Sequence, residues 1–317
     1  MNRPALEVLD GGLQTTIQAG PRRGLRHLGV PACGAADPVS LALANRLVGN
    51  AWDAAGLEVT LTGATFRART DLDVAIVGGL CDVAVDGAPR PHHEAFVLHD
   101  GAILRIGPAR AGCRTYLAVA GGLAAKAVLG SVSTYLPAEL GGLEGRSLRE
   151  GDLLHAENAS ADLAACATPG PLRQPFGETW TLRAVPGPEA DVLGEADTGA
   201  LYGEGWRADP ASNRMGVRLK GPALSPRGGG RMDSAAALPG TVQVPPGGAP
   251  IILGVDGGTT GGYPRAAQVI RADRHLIGQV RPGARVRLLR WTAEDADAVL
   301  TKKTALLRGG VGDGLAL

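Results

Sequence analysis

Apolar positions along the chain recur mostly at every second residue or gather in short runs rich in β-branched side chains, and the 3.6-residue rhythm of an amphipathic helix is scarce. The pattern predicts strands at 57–61, 74–77, 83–85, 96–98, 103–106, 116–119, 180–185, 251–255, 268–270 and 286–289. Asp86-Gly87 ahead of Pro89, and Pro282-Gly283, predict turns. Two stretches break the β pattern. Asp37 ahead of Pro38 is an N-cap followed by proline at the first helical position; Leu41, Ala44 and Val48 share one face, and Gly49-Asn50 stops the helix. A second helix is predicted from Thr292, with Glu294 and Asp295 placed to complement the dipole of its first turn.

A chain of 317 residues is long for one core and comfortable for two. The segment 159–177 carries Pro169, Gly170, Pro171 and Pro175 without periodicity and reads as a connection. The expected organisation is therefore a domain over 1–165, a linker over 166–177 and a domain over 178–317. Residues 61–66 and 219–224 echo one another, which fits either a duplicated barrel or chance likeness of strand-to-turn sequences.

A net charge of +1 with scattered arginines lacks the basic footprint of a nucleic-acid or anionic-membrane binder. No apolar run is long enough to span a bilayer and the N-terminus lacks a signal-peptide layout, so the expected location is cytoplasmic. Cys33, Cys81, Cys113 and Cys166 stand far apart and read as reduced, buried residues without a histidine partner. His92-His93-Glu94, with His99 nearby, reads as a solvated strand entry rather than a metal cluster, and no metal site is expected.

Candidate chemistry collects in three places. Ile251-Ile252-Leu253 empties into Gly254-Val255-Asp256-Gly257-Gly258-Thr259-Thr260-Gly261-Gly262-Tyr263-Pro264, where five glycines allow close backbone approach and Asp256, Thr259 and Thr260 supply polar contacts. This reads as a ligand loop or as a glycine-rich turn between strands. Ser212-Asn213-Arg214 sets an arginine fork in a small-residue turn, either an anion clamp or a surface cap. Gln243 stands on an alternating strand, to read a ligand amide or to pair across the sheet.

Several co-linear motifs resemble one family. They are Gly12-Leu13-Gln14-Thr15-Thr16-Ile17-Gln18, Gly34-Ala35-Ala36-Asp37-Pro38, Ala44-Asn45-Arg46-Leu47-Val48-Gly49-Asn50 and Tyr116-Leu117-Ala118-Val119-Ala120-Gly121-Gly122. The stretches Ser212 to Gly216, Gln243 to Pro246 and Thr259 to Pro264 continue the likeness over nearly the whole chain. The family is KipA, also called the C-type subunit of 5-oxoprolinase, allophanate hydrolase subunit 2 or the biotin-dependent carboxyltransferase family. The resemblance implies two cyclophilin-like β-barrel domains and a complex with a KipI-like partner, the B-type subunit. It also implies a lactam-binding partner, the A-type subunit, with ATP-driven opening of 5-oxoproline, and, in the urea-carboxylating relatives, carboxyl transfer from biotin. Biotin would have to arrive on a separate carrier, since no Met-Lys-Met signature is present. The site it implies has Arg214, Asp256, Thr259 and Thr260 as catalytic candidates, with Ser212, Asn213, Gln243, Gly261, Gly262, Tyr263 and Asp37 as substrate-binding candidates.

Three positions depart from the family pattern. Gly258 stands for a glutamine, Ala235 for a glutamate, and Ala19 begins a stretch that lacks an expected aspartate. The resemblance thus leaves open a 5-oxoprolinase subunit, a divergent paralogue acting on another amide, urea or carboxylated substrate, and a non-catalytic antagonist of a KipI-like kinase inhibitor. No nucleophile is evident, because no cysteine and neither Ser212 nor Ser234 has a base beside it in the sequence.

Overall fold

The structure, a computed structural model, describes residues 3–156, 167–203, 205–311 and 315. Cys166 and the first part of the expected linker lie outside these residues. The chain is mainly β and divides into two compact units, one comprising 1–22, 33–176 and 305–316, the other 23–32, 177–304 and Leu317.

The strands of the first unit are β1 (Arg3–Asp10), β2 (Gln14–Gln18), β3 (Gly56–Thr60), β4 (Ala64–Ala68), β5 (Leu72–Leu80), β6 (Val83–Val85), β7 (Ala88–Pro89), β8 (Ala95–Leu98), β9 (Ile103–Ile106), β10 (Ala111–Val119) and β11 (Leu153–Ala156). They form two sheets, ordered β11-β1-β4-β9-β6-β7 and β2-β3-β10-β5-β8. Leu6, Val8, Phe66 and Leu104 from the first sheet join Leu57, Val74, Ile76 and Leu117 from the second in one apolar core. Each of these large side chains removes about 1.5–3 kcal/mol worth of apolar surface from water. Helix α1 (Pro38–Leu47) packs against β5 and β10. Consecutive residues of a strand face opposite ways, so Leu117 enters the inter-sheet core while Tyr116 meets Leu41 and Ala35. A sheet buried on both faces explains why β5 reads as an apolar run rather than an alternation.

The predicted start of α1 is present, with Asp37 Oδ1 accepting from Ser40 N at 3.1 Å. The Tyr116 hydroxyl accepts from Asp37 N and donates to Glu58 Oε2, both at 2.8 Å. Glu58 also accepts from Ala36 N and lies 3.2 Å from Arg114 Nε. The turn at Asp86-Gly87 joins β6 to β7, and both residues hold the positive φ, 49° and 83°, of a two-residue hairpin turn.

The second unit holds β12 (Thr179–Pro186), β13 (Trp206–Ala208), β14 (Gly216–Lys220), β15 (Ala235–Ala236), β16 (Thr241–Gln243), β17 (Ile251–Leu253), β18 (Thr260–Gly261), β19 (Arg265–Val269) and β20 (Arg285–Arg290). Seven of these close a barrel, β12-β19-β16-β17-β14-β13-β20, while β15 and β18 pair as a separate ribbon. Alternate residues fill its interior, among them Leu182, Trp206, Leu219, Val242, Ile252, Val269 and Leu288. Helix α2 spans Glu195–Leu201. Helix α3 (Ala293–Val311) begins at Thr292, whose hydroxyl accepts from Asp295 N at 3.1 Å and donates to its carboxylate at 2.8 Å.

The histidine reading needs correction. His93 is only 7% exposed, and it exchanges backbone hydrogen bonds with Ile76 and Thr168, so this segment is structural and not a solvated entry. Burial, with Arg173 beside it, pushes the His93 imidazole down to about 4. Burial likewise lowers His92, and it lowers His275, which faces Lys303 Nζ at 3.0 Å.

An unfolded imidazole takes its proton near pH 6.5, whereas the folded one refuses it until about pH 4. Stability from His93 is therefore complete above pH 6.5 and lost as pH falls toward 4, by about 2–4 kcal/mol. Urea unfolding between pH 7 and 5, above the usual carboxylate range, should show this slope, and His93→Gln should make it shallower, with His92 and His275 keeping the remainder.

Candidate functional site

Strand β17 ends where its loop must turn beside β14. Asn213 and Gly216 exchange backbone hydrogen bonds, and Asn213 Oδ1 accepts from Met215 N at 2.8 Å, which shapes a tight hairpin before β14. That hairpin receives the glycine loop, with Gly254 N donating to Met215 O at 2.9 Å and Asp256 N to Arg214 O at 3.1 Å. The side chains repeat the connection. Arg214 Nε donates to Asp256 Oδ2 at 2.7 Å and Nη2 to Oδ1 at 3.0 Å, with only 4% and 2% of the two side chains exposed. The fork of Arg214 thus grips a carboxylate of its own chain. Ser212 Oγ accepts from Arg218 N at 3.1 Å and belongs to the same hairpin.

The far end of the loop is zipped to residues 232–237. Ala235 pairs with Gly261 and Ala236 with Thr260. Ala237 N donates to Thr259 O at 2.9 Å and Met232 N to Gly262 O at 3.0 Å. Behind this ribbon stands Gln243, 6% exposed, whose side-chain nitrogen is buried without a hydrogen-bond acceptor. A Cβ on Gly261 would lie 2.5 Å from that nitrogen, so only glycine lets the amide stand where it does. Thr259 is 9% exposed, Thr260 is exposed, and Tyr263 is 39% exposed.

Ten of the eleven candidates therefore belong to the second unit, on the hairpin, the loop and β16 around it. The eleventh is Asp37. It lies in the first unit, 1% exposed, and both carboxylate oxygens serve Ser40. Two departures from the family pattern fall in or next to this ribbon: Ala235 is the cross-strand partner of Gly261, and Gly258 precedes Thr259.

Supporting residues escaped the sequence reading. Arg265, opposite Gln243 in the sheet, donates from Nε to Glu189 Oε2 at 2.8 Å and from Nη1 to the Ala236 carbonyl. Its guanidinium holds the Glu189 carboxyl below the usual range. Arg26 donates to the Ala237 carbonyl. Position directly after Tyr263-Pro264 was the one available signal for Arg265, and Arg26 offered none.

The cysteine reading also changes. His92 Nε2 lies 3.5 Å from Cys81 Sγ and 2.9 Å from the Cys81 carbonyl, a pairing that sequence spacing hides. Burial pushes the Cys81 thiol up to about 11 while it lowers His92, so both groups are held neutral and the pair is no activated nucleophile. Cys33, Cys81 and Cys113 are buried, and none is in a disulfide among the described residues. Among the described residues no group of three His, Cys, Asp or Glu is placed to hold a metal ion, and no helix is long and apolar enough to cross a membrane.

Known proteins resemble this chain in sequence and fold. The 5-oxoprolinase C-type subunit of Escherichia coli (strain K12) is 38% identical over 291 residues, covering 92% of this chain and 93% of that protein. Its namesake from Haemophilus influenzae is 35% identical over 304 residues, covering 96% and 94%. The crystal structure of the K. lactis urea amidolyase is similar with a TM-score of 0.89 at 28% identity, over all of this chain and 20% of that one. This chain thus spans about a fifth of the amidolyase. Residues 28–290 match the model of the carboxyltransferase domain, subdomain A and B. With that match over most of its length, and relatives alike from end to end, the chain belongs to the carboxyltransferase domain A and B family.

Proposed function

We propose that the chain is one component of a 5-oxoprolinase-type complex that opens a lactam or related amide at the expense of ATP, working with a KipI-like partner and a lactam-binding partner. The observation that carries this reading is the buried Gln243 amide nitrogen, a donor without an acceptor beside the Thr259–Gly262 turn. A lactam carbonyl is an acceptor of the matching kind, and a donor already fixed in place costs no reorganisation as negative charge develops on that oxygen. The end-to-end likeness to two proteins named for the same 5-oxoprolinase component supports this conclusion.

Gln243, Thr259 and Thr260 bind and polarise the substrate in this reading, with Gly261, Gly262 and Tyr263 shaping the wall around it. One neutral amide and two hydroxyls suit a carbonyl better than a polyphosphate, which is met by guanidinium forks. ATP is therefore not assigned to this loop, and biotin enters only if a separate carrier brings it. Arg214 and Asp256 act on the chemistry by stapling the loop to its hairpin, with Ser212 and Asn213 setting the hairpin's shape. A second reading, a divergent paralogue with another amide, urea or carboxylated substrate, is favoured by Ala235 and Gly258, because one polar loss falls on the ribbon beside Gln243 and the other immediately before Thr259.

ATP-dependent 5-oxoproline hydrolysis is expected only from the mixture of this chain with its KipI-like and lactam-binding partners. Turnover by the chain alone would overturn the reading, and a verified but silent complex would transfer it to the divergent substrate. In the active mixture, Gln243→Leu should lower kcat/KM by about 100-fold, the usual loss when one oxyanion donor is removed, with little change in Tm. Arg214→Ala and Asp256→Ala should each cost about 3–5 kcal/mol in denaturant unfolding because the partner charge is stranded, while the double replacement by Met and Leu should restore most of it.

A further inference from the structure

A second feature of the barrel concerns its outer surface. The register sets Lys220 opposite Arg207 and Arg207 opposite Arg285, three cations in one row across β14, β13 and β20. Arg287 follows Arg285 on the same face, two residues along β20, and Thr179 and Thr181 of β12 pair beside these two arginines. Cross-strand partners stand about 4.5–5.5 Å apart at Cβ, where like charges destabilise a sheet. The row is relieved at one end by Asp209, 2.9 Å from Lys220. Arg207 donates to the Gly283 carbonyl, a neutral acceptor. Arg207, Arg285, Arg287 and the two threonines line one cavity of about 580 Å³, and no described carboxylate lines it. A chain with a net charge of only +1 has thus concentrated three guanidinium groups and two hydroxyls around one concave space.

We propose that this cavity is a binding site for an oligophosphate, a ligand with at least two linked phosphate groups. Planar guanidinium forks take phosphate oxygens two at a time, and hydroxyls complete the shell. Arg207 and Arg285 stand abreast on paired strands and Arg287 follows about 6.6 Å along β20, around a space larger than one phosphate fills. An anion seated there also removes the repulsion built into the row. The site is separate from the amide-binding loop and does not depend on the reading given for it.

The test is calorimetric titration of the full chain with pyrophosphate, orthophosphate and ADP at low ionic strength, against chloride at matched ionic strength. Saturable binding of one pyrophosphate, about tenfold or more tighter than orthophosphate, is expected. Arg207→Gln and Arg285→Gln should each weaken it about tenfold or more, while Arg105→Gln, an exposed arginine of β9, leaves it unchanged. ADP binding with the same arginine dependence would identify a nucleotide as the source of the phosphates, and its absence a free oligophosphate; both support the site. Lack of saturation, equal affinity for orthophosphate, an equal effect of Arg105→Gln, or displacement of pyrophosphate by a lower concentration of an acidic peptide would overturn it. Circular dichroism of both cavity variants checks that the barrel is intact, and Arg287→Gln supplies an independent variant should either one unfold.

Discussion

The second unit depends on one parallel ladder. Thr179 to Ala184 of β12 run alongside Arg285 to Arg290 of β20 in unbroken register, and this contact converts a set of antiparallel strands into a closed barrel. Bringing those segments together restricts all the intervening chain, an entropic cost on the order of 4 kcal/mol beyond the constant of closure. The inward row of Trp180, Leu182, Ala184, Val286 and Leu288 offsets it, because these side chains lose their water together only when the barrel is shut. Closure also removes open edges that would otherwise invite foreign strands.

The candidate site is placed on this frame by short-range constraints. Strand β17 lies between β14 and β16, so the loop leaving it has the Arg214 hairpin on one flank and Gln243 on the other. The salt bridge to Asp256 locks the first flank, and the absent side chain of Gly261 permits the second. The arginine that read as an anion clamp or a surface cap supports the loop, while the glutamine that read as a ligand contact or a cross-sheet pair holds the unsatisfied donor. Burial and hydrogen-bond satisfaction made that distinction, and neither is visible in a linear pattern.

Much of the architecture was legible because apolar alternation was strong in β9, β12 and β20, and because Asp37-Pro38 and Asp86-Gly87 carry local turn and cap chemistry. Strand β2 was illegible for a physical reason: four of its five residues are polar, and Thr15, Thr16 and Gln18 are nevertheless buried, held by contacts such as Thr15 Oγ1 to Gly11 O and Gln18 Nε2 to Thr134 O. The ribbon of β15 and β18 was equally silent, since two residues on each side carry no period. The family resemblance located the loop and its hairpin together. It did not separate the residues that hold the loop from the buried amide with an unsatisfied donor, and it did not anticipate Arg26, Arg265 or the Cys81–His92 contact, all set by distant segments of the chain.

In the first unit, β1 pairs on one side with β4 and on the other with β11. On a ribosome this makes the first strand wait for the last. At about 5–20 residues per second, roughly 7–30 s separate the emergence of β1 from that of β11, and one edge of the nascent sheet stays open throughout. Pro4 lies within β1 and has no amide hydrogen to offer an intruding strand, so the edge that must wait longest is also partly blunted.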